Sequence, residues 1–176
     1  RLMISDRKEP PMKRRDFLSA SALALSAVLL RAQSSERPLT VAVIGHTGQG
    51  NYGHGEDAVW LSIPRTKIVA VADADAKGLA IEAKKLGGVK AYPDYKVMLA
   101  EAKPDIAAIC ARHIHEHRDM IVAAIAAGVK GIYIEKPFVR TLAEADEIVK
   151  LCAEKGVRLA IAHRNRYHPV LATVQK

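Results

Sequence analysis

Six short apolar runs recur along the chain from Pro38 onward, at residues 39–44, 67–72, 89–91, 106–110, 131–134 and 157–162. They are rich in Val, Ile and Ala, which suits strands covered on both faces. The stretches between them carry apolar residues at helical spacing and polar residues at their ends. A helix over about 56–61 is predicted before Pro64, which disfavours continuation. Asp75 can cap a helix that runs to Leu86 and stops at Gly87-Gly88. Asp94 opens another, to about residue 102. Residues 116–127 place Met120, Ile121, Ala124 and Ile125 on one face, with Gly128 as the stop. Thr141-Leu142-Ala143-Glu144 is a capping box. The helix it opens is expected to turn Leu142, Ala145, Ile148, Val149 and Cys152 inward and to end at Gly156.

Strands alternating with helices predict an α/β fold: a doubly wound parallel sheet of about six strands. Residues 37–163 form one expected domain. After His163 the pattern changes, and residues 170–176 read as the first turns of a new helix. Residues 164–176 are therefore expected to begin a C-terminal α/β domain.

The first 36 residues follow a different pattern. Met12 precedes Lys13-Arg14-Arg15-Asp16-Phe17-Leu18, and an apolar stretch of small residues runs to Leu30. The run is too short for a transmembrane helix. A charged segment, an apolar segment and small residues in that order resemble a twin-arginine export signal. The expected location is the periplasm, with the cytoplasm as the alternative. Residues 1–11 precede Met12 and are expected to be upstream of the true start.

Composition narrows the function classes. The net charge is +8. Residues 1–36 contribute seven Lys/Arg against four Asp/Glu, or +3, and the remainder twenty against fifteen, or +5. That remainder has no dense basic run with interleaved aromatics, so no nucleic-acid partner is expected. Cys110 and Cys152 sit in apolar runs without metal-ligand spacing and are expected to be buried thiols.

The chemistry gathers after the strands. The first strand runs into Gly45-His46-Thr47-Gly48-Gln49-Gly50, a glycine loop of the kind that cradles phosphate. Counted from Gly45, the spacing is Gly-x-x-Gly-x-Gly, with Thr47 where a dinucleotide fingerprint has its second glycine. Gly48 can take over the close approach to pyrophosphate. Asp73, at the end of the second strand, can accept hydrogen bonds from the two hydroxyls of an adenosine ribose and would repel a 2′-phosphate. NAD is therefore favoured over NADP. Lys136 follows the fifth strand, at the sheet edge where ligands of open α/β sheets sit, and can relay a proton. His113, His115 and His117 alternate. On an extended segment they would share a face and could hold a metal, so a metal-dependent hydrolase is one rival. A non-catalytic dinucleotide-binding module is another. No metal is expected on the favoured reading.

The glycine loop, Asp73, His117 eleven residues before Gly128, Glu135-Lys136-Pro137, and Asn165-Arg166-Tyr167-His168-Pro169 together resemble the Gfo/Idh/MocA oxidoreductases, relatives of glucose–fructose oxidoreductase and inositol dehydrogenase. The resemblance covers about residues 38–176. It implies a Rossmann domain, a C-terminal α/β domain, and hydride transfer between NAD(P) and a secondary alcohol or carbonyl of a sugar or cyclitol. Lys136 matches the family's catalytic lysine and Glu135 the acid beside the nicotinamide ribose. His117 matches the histidine after the fourth strand. The implied cofactor-binding set is Gly45, Thr47, Gly48, Gly50, Asp73, His117, Glu135, Lys136 and Arg166. Arg112, His113 and Ile114 stand where the family often has Thr-Pro-Asn. The expected partners are a small sugar or cyclitol and, through the C-terminal domain, further copies of the chain. No stable membrane anchor is expected.

Overall fold

The structure is a computed structural model and describes residues 37–167 together with 170 and 173. The export-type segment and most of the helix expected over 170–176 lie outside the described residues.

Six parallel strands form one sheet: β1 (Leu39–Ile44), β2 (Thr66–Ala72), β3 (Lys90–Tyr92), β4 (Ile106–Ile109), β5 (Gly131–Ile134) and β6 (Arg158–Ile161), in the order β3-β2-β1-β4-β5-β6. The strand order reverses between β1 and β4. In such sheets the crevice outside the carboxyl ends of those two strands is where ligands bind.

Four α-helices cross between strands: α1 (Ala76–Lys85), α2 (Tyr95–Ala102), α3 (His117–Ala126) and α4 (Leu142–Lys155). Their starts follow from capping chemistry. Asp75 accepts from the Gly78 amide, Asp94 from the amides of Lys96 and Val97, and Thr141 from that of Glu144. Each satisfies a donor that the first turn leaves open. Gly156 ends α4 in the left-handed conformation (φ 67°).

The alternation of the central strands divides the core. Ala42 and Ile44 of β1 face Met98 and Leu99 of α2, Met120, Ile121, Ala124 and Ile125 of α3, and Ile148 of α4. Val41 and Val43 face the other way, toward Tyr52, Leu79, Leu86 and the partly buried Trp60. At roughly 1.5–3 kcal/mol per fully buried aliphatic side chain, these two layers are the main stabilising term.

Two expectations are corrected. No α-helix forms over 56–61: a 3-10 turn occupies Val59–Ser62. Gly50, Asn51, Gly53 and Gly55 adopt positive φ, and the chain runs in turns up to the 3-10 segment. On α4, Ile148 is buried, but Leu142 is 85% and Val149 64% exposed. Only one narrow stripe of this helix meets the sheet.

Candidate dinucleotide site

The glycine loop closes on itself beyond β1. The amides of Gln49 and Asn51 donate to the His46 carbonyl, the His46 amide donates to the Asn51 carbonyl, and the Gly48 amide donates to Asn51 Oδ1. A β-carbon on Gly50 would lie 2.5 Å from Arg112 Cβ and 2.6 Å from its amide nitrogen. One on Gly53 would lie 2.9 Å from the Cys110 carbonyl oxygen. With φ of 91° and 66°, both positions require glycine on two grounds. Gly48-Gln49-Gly50-Asn51-Tyr52-Gly53 is itself a Gly-x-Gly-x-x-Gly run, three residues further on than the frame counted from the strand end. Gly53 therefore joins the loop glycines.

Asp73 ties this loop to the end of β2. Its carboxylate is buried and accepts from the Thr47 amide (2.9 and 3.1 Å), the Thr47 hydroxyl (2.6 Å), the Tyr52 hydroxyl (2.8 Å) and the Asp75 amide (2.9 Å). Burial alone would raise its pKa. The donors from Thr47, Asp75 and Tyr52 outweigh burial and hold the carboxyl below its ordinary range. Burial, with the Asp73 carboxylate beside it, pushes the Tyr52 hydroxyl far up, so it stays a donor. Asp73 thus acts first on the protein's own loop. Beside it, a cleft of about 200 Å³ is lined by Gly45, His46, Asp73, Ala74, Pro93 and Tyr95, among others.

Three side-chain contacts join the glycine loop to the segment after β4. His46 Nδ1 lies 2.5 Å from Glu116 Oε2, Arg112 Nε donates to the Gly50 carbonyl at 3.1 Å, and His113 Nδ1 meets Gln49 Oε1.

Glu135 and Lys136 follow β5. Glu135 is fully buried. Its Oε2 accepts from the Lys136 amide at 2.6 Å, and its Oε1 lies 2.5 Å from His54 Nδ1. The His54 amide donates to the buried Glu56. Lys136 is exposed and lines a cleft of about 470 Å³ with His54, Glu56, His163, Asn165 and Arg166. His54 and Glu56 lie in no motif recognisable in the sequence. The hint is that a buried carboxylate such as Glu135 needs donors, and the glycine loop is the nearest segment able to bring them.

His113, His115 and His117 do not form a metal face. The segment is not extended: Ile114–Glu116 is a 3-10 turn. His117, expected at the cofactor, is instead buried beneath the turn after β5. Its Nδ1 lies 2.8 and 3.1 Å from the Pro137 and Phe138 carbonyl oxygens and its Nε2 2.7 Å from that of Ala111. Among the described residues, ligand-type atoms with metal spacing occur at His54, Glu56 and Glu135, within 4.8 Å of one another. The hydrogen bonds given above already engage them. Cys110 is buried, which pushes its thiol pKa up, and Cys152 is partly buried.

A glycine-rich loop at the switch point of a β3-β2-β1-β4-β5-β6 sheet, with an acid closing β2, suits a dinucleotide. The family model of Gfo/Idh/MocA, an oxidoreductase family with an NAD-binding Rossmann fold, matches residues 39–163. The chain belongs to the Gfo/Idh/MocA oxidoreductases. D-apiose dehydrogenase of Paraburkholderia graminis is 32% identical over 127 residues, covering 72% of this chain and 33% of that protein. The NAD(+)-dependent scyllo-inositol 2-dehydrogenase of Bacillus subtilis is 28% identical over 141 residues, covering 80% and 40% respectively. Among solved structures, myo-inositol 2-dehydrogenase from Lactobacillus plantarum superimposes with a TM-score of 0.69 at 26% identity, covering 79% of this chain and 40% of that one. This Gfo/Idh/MocA chain thus spans between a third and two fifths of the length of these relatives. The doubly wound sheet and the NAD-binding class expected from the sequence are those of the family.

Proposed function

We propose that this chain is the cofactor-binding half of an NAD-dependent dehydrogenase acting on a secondary alcohol of a sugar or cyclitol. The observation that carries the reading is Lys136, exposed in the larger cleft on a backbone that a buried glutamate fixes. The glycine loop leaves room for a dinucleotide at Gly48, where a β-carbon would meet no atom within 4 Å. Gly48 would let the diphosphate approach, while Gly50 and Gly53 let the loop pack on the Arg112 backbone and the Cys110 carbonyl. Asp73 holds Thr47 and Tyr52 in place and keeps a 2′-phosphate away, which favours NAD over NADP. When bound, the nicotinamide supplies the hydride acceptor.

The chain's own residues handle the proton. Glu135 holds the Lys136 amide, so the side chain starts from a defined point. His54 braces Glu135 from the glycine loop. Lys136 Nζ takes the hydroxyl proton as the carbon loses hydride, giving the carbonyl; in the reverse direction it returns that proton. Arg166, on the rim of the same cleft, would hold the cofactor or a polar group of the substrate. The similarity to apiose and inositol dehydrogenases supports the sugar or cyclitol class.

The test is Lys136→Met in the intact protein. Turnover should fall about 10²–10⁴-fold with NADH affinity unchanged, and near-normal turnover would remove Lys136 from the mechanism. A non-catalytic dinucleotide-binding role would show as NADH binding without turnover of any sugar or cyclitol.

The reading extends to the rest of the protein. Residues 164–176 lead into a substrate-binding domain through which copies associate, and the segment around Arg14-Arg15 directs export to the periplasm. No described helix is long and apolar enough to cross a membrane. Arg14→Lys with Arg15→Lys should leave the protein in the cytoplasm. Unchanged export would refute the signal.

A further inference from the structure

Arg112 stands on the lip of the crevice opposite the glycine loop, two residues past the point where the chain leaves β4 with Cys110. Its backbone packs directly on Gly50, and its Nε donates to the Gly50 carbonyl. That single bond fixes the guanidinium plane against the loop tip. The two Nη groups donate to nothing among the described residues, and Arg112 forms no ion pair there. The side chain is exposed at the switch point of the sheet.

Two acids of the crevice already have partners. Glu116, on the same segment, is taken by His46, and the Asp73 carboxylate by Thr47, Tyr52 and Asp75. The crevice rim therefore presents a cation without a counter-ion among the described residues, beside a loop that leaves open space at Gly48. A planar guanidinium held at one nitrogen offers its other two to a pair of phosphate oxygens.

We infer that Arg112 is a diphosphate-binding residue of this chain, clamping the bridge of the dinucleotide from the β4 side. The inference rests on the dinucleotide reading above. It assigns the charge complement of the diphosphate to a side chain outside the glycine loop. It also gives the contacts of His46 with Glu116 and of Gln49 with His113 a purpose: they hold the two lips in register.

The test compares ADP-ribose with adenosine on the full chain, by calorimetry for the first and ligand-observed NMR for the second, in wild type, Arg112→Met and Arg112→Lys. Arg112→Met should weaken ADP-ribose about tenfold or more, leave adenosine within twofold, and be partly rescued by Arg112→Lys. Unchanged ADP-ribose affinity in Arg112→Met would overturn the inference. So would equal losses for both ligands, which would show that Arg112 only shapes the loop. Absence of ADP-ribose binding by folded wild-type protein would overturn the dinucleotide reading itself, and the inference with it.

Discussion

The Thr47 hydroxyl donates to Asp73 Oδ2 at 2.6 Å, so the residue that interrupts the glycine spacing is also the one that fastens the loop to the end of β2. A β-carbon on Gly78, in the first turn of α1, would fall 1.9 Å from that same hydroxyl oxygen. The helix start, the loop and the strand end therefore meet at one side chain. Thr47→Val removes the hydroxyl and keeps the shape. It should cost about 1.5–3 kcal/mol, the scale of a hydrogen bond to a charged group, measured by urea unfolding. The folded-state pKa of Asp73 is depressed, so its contribution is present above the unfolded value of about 3.8 and lost as pH falls below it toward the folded value. Thr47→Val should flatten that acid loss.

Glu82 gives the opposite sign. Burial, followed by its contact with Asp57, pushes its carboxyl up to about 7. Between the ordinary value of 4.5 and about 7, the folded state holds a proton that the unfolded chain releases. Stability should therefore fall as pH rises through that window, and the full cost is present above it. Glu82→Gln should raise the melting temperature at pH 8 and change it little at pH 4.5. An equal shift at both pH values would contradict the assignment.

His117 predicts a split between stability and affinity. It reaches three backbone carbonyls and couples the start of α3 to the turn that carries Lys136. His117→Ala should destabilise the domain by about 2–4 kcal/mol, from lost packing and unpaired buried carbonyls. Below its melting temperature it should lower turnover more than it weakens NADH. A selective loss of NADH affinity would restore the direct cofactor contact expected from the sequence.

The central strands β1, β2 and β4 were legible because they are short β-branched or alanine-rich runs buried on both faces, and the helix starts because Asp75, Asp94 and Thr141 have few other uses before an amphipathic stretch. The segment after the glycine loop was not. An apolar pattern over Ala58-Val59-Trp60-Leu61 suggests a helix, but the chain passes through turns with positive φ at Gly53 and Gly55 and forms only a 3-10 turn. Leu142 and Val149 misled because spacing marks a stripe and does not say how wide the contact is. In the site, Asp73 and Lys136 were visible from their places at strand ends. Gly53 was missed because the fingerprint was counted from Gly45, and counting from Gly48 finds it. His54 serves Glu135 across about eighty residues, and Glu56 accepts from the His54 amide, relations that no local motif carries.

The central claim is tested most directly by titrating NADH into the full chain, wild type against Gly50→Ala, while following nicotinamide fluorescence and checking the fold by circular dichroism. The account predicts saturable binding by wild type and its loss in a folded Gly50→Ala variant, where the new methyl group must displace the Arg112 backbone. Folded wild-type protein that does not bind NADH, or a Gly50→Ala variant that binds it equally well, would contradict it.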